Sequence, residues 1–587
     1  MVQVQFHGPL PDTAEGVPLA QRFKAPEGAF ERTALELGPH SAQISVVGDC
    51  AAQVTASPPL TPLHNQPHGA DELTAIALPE AQRLLLGALV RTNPFELPQV
   101  PLTGEPLPPT FAIVVAQVTC DPPPVPEHAH DQGPLPVTGG VANLGGFQFA
   151  CNSCAVPAVN QPSFHVAPNG NDNWSGTKAD PTADNSDGPF LTLQRAQIAM
   201  EQSSTVKNAV LRAGSYSIAG NLSFQSADNN EAWVPYPGES VTLGGANTGG
   251  ILANNVMGLT IEGLIIQNVP TGLALTNSSM GKIRWNYFIN CSTNCIHGFA
   301  ATNNLIDSNI FLNSGGPLTS NAPIFLQWNS TNNMVSHNYI FNSQGPGITV
   351  AGGAANDTNS NNVFDSNVVL NSSQGMYDSG SIYILDRGHA SLGTRIVNNY
   401  FDGNGVNMWT KCIYIDDETS NVTVTGNISL NCGEYGIQYH GGDHIVVTNN
   451  VFDLGSSATI QYTRIGLYQD DAQFGNFGMN GNTFQRNIVF YSAAATSNPA
   501  WDYLNNSGGA IANPAVSNNI YFSVAGAQIN NAGAITDSAP ILTDPQFNNP
   551  GLGNYTLYWN SPAYAAINFQ PLATDQGPLP IPVSLPQ

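Results

Sequence analysis

From about residue 254 the chain writes one short frame over and over. IRWNYFIN, LIDSNIFLN, MVSHNYIFN, VFDSNVVLN, RIVNNYFDG, VTVTGNISLN, IVVTNNVFD, FQRNIVF and VSNNIYF each hold apolar residues, a pair ending in Asn, then further apolar residues. The aligned asparagines are Asn286, Asn309, Asn338, Asn367, Asn399, Asn427, Asn450, Asn487 and Asn519, and they recur every 23 to 37 residues. A unit of this length cannot bury its own apolar face and must stack on copies of itself, which predicts a solenoid. Each unit carries two or three short strand-like runs and no helical periodicity, so the coils are parallel β. Asn tolerates the left-handed conformation at a bend, and stacked Asn side chains can hydrogen-bond from coil to coil. Solenoid ends need caps. PFLTLQRAQIAM, 189–200, predicts a short amphipathic helix over the first coil.

Composition narrows the partners. The 587 residues include 16 Lys+Arg against 41 Asp+Glu, a net charge of −25. That excludes a nucleic-acid surface, which needs clustered cations, and disfavours attraction to an anionic polymer or membrane. Charged residues make up only 10% of the chain, well below the roughly 25% of ordinary soluble domains. Asn, Gly, Ser and Thr carry the polarity, as in extracellular repetitive β proteins. No run approaches the roughly twenty apolar residues that span a bilayer, so no membrane insertion is expected. The opening MVQVQFHGPLPDTAEGVPLAQRF has no basic segment followed by an apolar one, so no secretory signal is read there.

The first 155 residues differ from the rest. AQISVVGDCAAQVTAS and TFAIVVAQVTC alternate as strands do, and PEAQRLLLGALV, 79–90, opens with Pro and predicts a helix. This gives a small mixed α/β or mostly-β N-terminal module over 1–122. A Pro/Gly-rich linker follows over 123–160, then the solenoid over 161–570 and a tail over 571–587. CDPPPVPEHAHDQGPLPVTGG reads as the stiff part of the linker, and its DQGPLP returns at 575–580. Cys50, Cys120, Cys151 and Cys154 fit either half-regular zinc ligation or disulfides and buried thiols.

FHVAPNGNDNWSGT and GPFLTLQRA, within 164–196, resemble the opening of right-handed parallel β-helix proteins of the pectate-lyase-like superfamily. DPQFNNPGLGNYTLYWNSPAY, 544–564, resembles the usual ending of that group. The resemblance implies an all-β fold, a right-handed single-stranded parallel β-helix. It leaves the reaction open, because the fold hosts lyases, hydrolases, epimerases and non-enzymes.

Stacking lets strands be aligned by sequence. Ile324-Phe325-Leu326, Ile348-Thr349-Val350, Ile382-Tyr383-Ile384, Ile413-Tyr414-Ile415, Ile437-Gln438-Tyr439 and Ile465-Gly466-Leu467 are expected on consecutive rungs. With period-two alternation the Ile side chains point in, and Tyr383, Tyr414 and Gln438 point out. Asp416 then faces outward with His440 in the equivalent slot one rung on. Asp386 and Asp417 share the next slot, at the bend, and Glu418, Asp443, Asp470 and Asp471 continue past it. Asp378 stands where its strand begins. Rungs about 4.8 Å apart bring acids to the separations used by glycosidases, about 5–5.5 Å for retention and about 6.5–9.5 Å for inversion. Crowded acids also split their pKa values, which suits an acid and a base or nucleophile.

YDSGSIY and IYIDDETSNVTVTGN resemble β-helix glycoside hydrolases acting on xylosides and fucosides. Carried over, the resemblance points to Asp378 and the Asp416–Asp417 pair. The catalytic candidates are therefore Asp378, Asp386, Asp416 and Asp417. Tyr383, Trp409, Tyr414, Gln438 and His440 are the substrate-binding candidates, the aromatic ones as exposed stacking surfaces. Plainer roles compete: Asp386 and Asp417 as turn caps, Asp378 in an Asx-turn, His389 and His440 as surface histidines. The tyrosines could equally form a ligand-free stack or a subunit contact. No metal or cofactor is required, although the acid cluster could hold Ca²⁺. Arg387, His389, Arg395 and Lys411 are the groups a polysaccharide lyase would draw on.

Three kinds of protein fit. The first is a phage tailspike: a homotrimer in the virion tail, docked by its N-terminal module to tail or adaptor proteins, that binds and hydrolyses a host cell-surface polysaccharide. The second is a secreted, extracellular bacterial β-helix glycosidase or polysaccharide lyase. The third is a non-catalytic β-helix adhesin or structural fibre.

Overall fold

The computed structural model describes residues 162–352, 359–387, 393–403, 410–455, 464–469, 478–492, 500–505, 511–524 and 535–578, and strand segments at 2–6, 35–36, 42–47, 51–56, 61–62, 73–77 and 111–115. The chain divides into two compact units, Met1–Gln148 and Phe149–Gln587.

In the first unit the alternating runs read from sequence form strands Ala42–Val47, Ala51–Ala56 and Phe111–Val115. They join Val2–Phe6 and Leu73–Ala77 in a five-stranded sheet. Its pairings are antiparallel except that of Ala42–Val47 with Phe111–Val115. The helix expected over 79–90, the linker over 123–160, and Cys50, Cys120, Cys151 and Cys154 lie outside the described residues.

The second unit is built on a right-handed parallel β-helix. One wall is a thirteen-stranded parallel sheet running from Ser163–Val166 to Ala515–Ser517. Two further walls merge into a twenty-one-stranded sheet, because Ile265–Thr276 and Tyr287–Phe299 are long enough to run through the corner between them. Inside, a continuous apolar core includes Phe288, Phe311, Phe364, Phe401, Phe452 and Phe484, all fully buried. Phe288 and Phe311 stack with ring centres 5.1 Å apart. The cap helix, α1, spans Leu193–Gln202. It starts four residues later than expected because Thr192 is its N-cap, accepting from the Arg195 amide at 3.2 Å. Leu193, Ala196, Ala199 and Met200 face the first coil.

The repeated asparagines form one ladder. Asn286 Nδ2 donates to Asn309 Oδ1 at 3.0 Å, Asn309 to Asn338 at 3.0 Å, and Asn338 to Asn367 at 2.9 Å. The line continues through Asn399, Asn427, Asn450 and Asn487 to Asn519. It ends on Asp537, whose Oδ2 accepts from Asn519 at 2.7 Å. Every ladder asparagine is fully buried. The left-handed conformation is not theirs. It belongs to the residue before: Trp285, Ser308, His337, Ser366, Asn398, Asn449, Arg486 and Asn518 have φ between 51° and 60°, and Gly426 has 72°. The ladder Asn instead points inward, and its amide pairs backbone groups that the bend takes out of the strand pattern, as Asn367 Nδ2 does for Val335 O at 2.9 Å.

The last part of the chain adds no coil. A hairpin, Phe547–Asn549 with Asn554–Leu557, and a short helix, Pro562–Ala566, fold back over the outer face of one wall. Phe547, Tyr555, Ile567, Phe569 and Leu572 bury Ile428, Leu430, Val451, Ile488 and Phe490 from outside. Beyond the hairpin the chain runs back down the solenoid. The Gln570 amide reaches Asn449 Oδ1 at 2.5 Å and the Gly577 amide reaches Ser366 O at 2.8 Å. The DQGPLP copy at 575–580 thus begins as a docked strap, with Asp575 O 3.0 Å from His337 Nδ1. Among the described residues no helix is long and apolar enough to cross a membrane.

Candidate functional site

The strands that carry the site are consecutive rungs of one wall. They are β1 (Tyr287–Phe299), β2 (Ile324–Gln327), β3 (Ile348–Gly352), β4 (Ser379–Asp386), β5 (Thr410–Asp416), β6 (Tyr435–His440) and β7 (Arg464–Gln469). The register follows the repeated tripeptide. Ile324 pairs with Ile348, Ile348 with Ile382, Ile382 with Ile413, Ile413 with Ile437, and Ile437 with Ile465. Tyr383 sits beside Tyr414, and Tyr414 beside Gln438.

Asp416 ends β5 on the outward side and is the centre of a buried polar cluster. Its Oδ2 accepts from the Tyr383 hydroxyl at 2.6 Å and its Oδ1 lies 2.5 Å from His440 Nδ1. The Tyr414 hydroxyl is 3.5 Å from the same imidazole nitrogen. Asp417, the next residue, takes a φ of 34°, which turns it out of the strand toward Arg387. Arg387 Nε donates to Asp417 Oδ2 at 2.7 Å, and its Nη2 makes a second contact with the same oxygen. The two acids are pushed in opposite directions. Burial works against the charge on Asp416, but His440, Tyr383 and Tyr414 outweigh it and hold the carboxyl below its ordinary range. Burial and then the charge of Asp416 raise Asp417, with Arg387 only partly compensating.

At the start of β5 a second charged group adjoins the first. The Lys411 ammonium lies 4.4 Å from the centre of the Tyr414 ring. It pairs with Asp378 at 3.0 Å and with Glu434 at 3.6 Å. Lys411 is buried, whereas the Asp378 side chain is 71% exposed. Burial raises the Glu434 pKa against the pull of Lys411.

Several expectations need correction. Tyr383 and Tyr414 face outward from the solenoid but are covered, at 6% and 3% exposure. They meet edge to face at 5.1 Å, and Tyr414 stacks on His440 at 6.4 Å. They are therefore hydrogen-bonding supports of Asp416 and not open stacking surfaces. Gln438 is buried as well. Asp386 is fully buried, because it remains within β4 and the pleat carries it inward past Leu385. Its amide donates to Thr419 Oγ1 at 2.7 Å. Asp443 caps a turn, accepting from the Asn480 amide at 2.5 Å. Glu418 is buried at the bend. Trp409, His389, Asp470 and Asp471 lie outside the described residues.

Two groups were missed in the sequence. Glu434 precedes β6, and extending the rung alignment upstream from Tyr435, the partner of Lys411, would have found it. Tyr377, 67% exposed beside Asp378, is the accessible aromatic of this region among the described residues, but nothing in its sequence surroundings distinguishes it.

One oxygen each of Asp416 and Asp417 and a ring nitrogen of His440 lie within 4.8 Å of one another. This set does not match Ca²⁺, which takes about six to eight oxygen ligands. It includes an imidazole, and the carboxylates already accept from His440, Tyr383 and Arg387.

Among the described residues, Cys412 and Cys432 form a buried disulfide inside the solenoid, while Cys291 and Cys295 are free and buried.

A family model described as the right handed beta helix region matches residues 238–401. No curated protein matches the chain in sequence. Among solved structures, the chain is similar to the catalytic domain of a GH87 α-1,3-glucanase in complex with nigerose, at 12% identity and a TM-score of 0.41, covering 63% of this chain and 66% of that one. It is similar to the PL6 family alginate lyase AlyGC at 14% identity and a TM-score of 0.39, covering 67% and 59%. It is also similar to the Streptococcus pneumoniae surface protein and adhesin PfbA at 14% identity and a TM-score of 0.36, covering 60% and 92%. The chain thus spans 66% of the glucanase domain and 59% of the lyase. The family match, the strand register and the buried ladder agree that the second unit of this chain is built around a right-handed parallel β-helix.

Proposed function

We propose that this chain binds and hydrolyses a cell-surface polysaccharide, with Asp417 as general acid and Asp416 as the ionised partner, base or nucleophile. The observation that carries this reading is two adjacent carboxyls with different partners, Asp416 held by Tyr383 and His440 and Asp417 turned to Arg387, which displaces their pKa values in opposite directions. One is kept charged by hydrogen bonds and the other is pushed toward its neutral form, which is the division of labour glycoside hydrolysis requires. An oxygen of each acid lies within 4.8 Å of the other's. That is closer to the about 5–5.5 Å of retaining enzymes than to the about 6.5–9.5 Å that seats a water between the carboxyls. Elimination is less well served. It needs a base, and burial followed by the charge of Asp416 pushes the Tyr383 and Tyr414 hydroxyls far above their ordinary values. Lys411 is already committed to Asp378 and Glu434.

The test is incubation with a panel of purified bacterial surface polysaccharides, reading reducing ends and absorbance near 235 nm. Reducing ends without ultraviolet absorbance are expected. Asp416→Asn and Asp417→Asn should each lower the rate by about 10²–10⁴-fold while retaining binding. Product absorbing in the ultraviolet, or unchanged rates in both variants, would remove the hydrolase reading.

For the biological setting we propose a tailspike-like role: a trimer in the virion tail, attached through the separate N-terminal unit. One observation favours the alternative of a secreted glycosidase. The buried Cys412–Cys432 disulfide is typical of proteins matured in an oxidising compartment, whereas phage proteins assemble in the reducing cytosol. A detergent-resistant trimer carrying free Cys412 and Cys432 thiols when purified from cytosol would support the spike. A disulfide-bonded monomer recovered from culture medium would support the secreted enzyme.

A further inference from the structure

Lower on the same wall is a surface that the acid centre does not use. Phe299 ends β1 and Trp328 follows β2. Their rings stack with centres 6.1 Å apart and planes 21° from parallel. Both are open to solvent, at 37% and 41% exposure. Beside them His297 stacks on Phe325 at 5.1 Å, and Gln327 Nε2 lies 2.7 Å from His297 Nε2. Burial lowers the His297 pKa, so this polar edge is uncharged at neutral pH. An exposed aromatic face with neutral hydrogen-bonding groups along one side suits a pyranose ring, which offers C–H groups on its face and hydroxyls around its rim.

Register separates this surface from chance exposure. Asn277, Ala300 and Trp328 occupy the same slot on successive rungs, since Thr276 pairs with Phe299 and Phe299 with Gln327. All three are left-handed, with φ of 46°, 51° and 51°, a conformation that Asn suits. Phe299 pairs with Gln327, Gln327 with Ala351, Ala351 with Leu385, and Leu385 with Asp416. Phe299 therefore stands in the column of Asp416, four rungs away, or about 19 Å at about 4.8 Å per rung, and Trp328 lies one residue past that column and three rungs, about 14 Å, away. The small residues Ala351 and Gly352 lie between them on β3.

We propose that Phe299 and Trp328 form a distal glycan-binding subsite, which holds a sugar ring of a polysaccharide laid along the solenoid axis while Asp416 and Asp417 act on a linkage three to four rungs away. The inference rests on the hydrolase reading for what happens at the acids, and it adds a requirement for chain length. An oligosaccharide too short to reach from one site to the other gains nothing from the aromatic pair.

The test uses the full chain, purified bacterial surface polysaccharides, and oligosaccharides size-fractionated from them. Trp328→Asn should leave the melting temperature unchanged or raised, since Asn fits the left-handed slot. It should weaken polymer binding about tenfold, a typical loss for one aromatic contact of roughly 1–1.5 kcal/mol. Turnover of the shortest cleaved oligosaccharide should be unchanged. Trp328→Phe should recover most of the binding, and Phe299→Ala should repeat the loss. Full polymer affinity in Trp328→Asn would overturn the proposal. So would dissociation of an oligomer in that variant, which would assign the pair to a subunit contact, or failure of the unmodified chain to bind any of the polysaccharides. If binding falls in Trp328→Asn but no reducing ends appear with the unmodified chain, the subsite stands and the hydrolase reading fails.

Discussion

Asp416 and Asp417 are neighbours in sequence with opposite electrostatic surroundings, and the difference predicts a pH profile. Cleavage needs Asp416 ionised and Asp417 protonated, so kcat/KM should be bell-shaped, with the two limbs belonging to the coupled pair. Arg387 is what lowers the Asp417 pKa against burial and the charge of Asp416. Arg387→Gln should therefore move the alkaline limb to higher pH and leave the acid limb in place. An unmoved alkaline limb would take Asp417 out of the acid role. Stability follows the same shifts with opposite signs. The lowered Asp416 pKa contributes stability above the unfolded value of about 3.9, lost as pH falls through the folded value. The raised Asp417 pKa contributes at low pH and loses that contribution as pH rises through the folded value. Much of this centre could be read from the sequence, because one repeated tripeptide sets the register and the register brings Asp416, Asp417 and His440 together. The burial of Tyr383 and Tyr414 could not. Alternation says which side of a strand a residue faces, but not what lies above it. The contrast between Asp386 and Asp417 was also hidden. One stays in its strand and follows the pleat inward, while the other adopts a left-handed φ and escapes it, a difference that identical residues in aligned slots do not reveal.

At the scale of the element, the bend divides its work between two residues that composition alone blends into one. The left-handed turn is made by the residue before each ladder asparagine, and residues as unlike as Ser366, Arg486 and Trp285 serve there. The asparagine itself is held by its amide. Asn367 donates to Val335 O and Asn399 Oδ1 and accepts from the Asn338 amide and side chain. Asn367→Ala should strand these fully buried partners at about 1–3 kcal/mol each, giving a total loss of at least about 3 kcal/mol in urea unfolding. Ser366→Ala, one residue away, should cost less, about 1 kcal/mol, since it removes one hydroxyl bond, to Asp365 Oδ1 at 3.0 Å, and no ladder contact. Equal losses in the two variants would mean that the conformation of the bend, and not the ladder, holds the coils in line. The recurrence of Asn was legible in sequence. Its place one residue beyond the turn was not, because Asn is also the commonest residue in the turn slot itself.

For the whole molecule, the outer face of one wall serves as a second core. Strands such as Val368–Leu370 and Ile428–Leu430 are buried on both sides, so their apolar runs read as interior without saying what covers the exterior. Over Ile428–Leu430 the cover is the chain's own end, from Phe547 to Leu572. Removing residues 547–587 should expose Ile428, Leu430, Val451, Ile488 and Phe490 as one continuous patch, and light scattering should show self-association. A truncated chain that stays monodisperse with an unchanged melting temperature would show that the cover is dispensable. The ladder at the corner of this wall has a further consequence. Along the side-chain ladder each amide hands one hydrogen to the next asparagine's oxygen, from Asn286 toward Asn519, and the line stops on an Asp537 oxygen that accepts it. The amide dipoles therefore add head to tail, and the Asp537 carboxyl sits at their positive pole. A whole coil inserted or deleted along that line would leave both poles as they are, so the height of the column, and with it the reach of anything lying along its flank, can be reset in steps of one turn without redesigning either end.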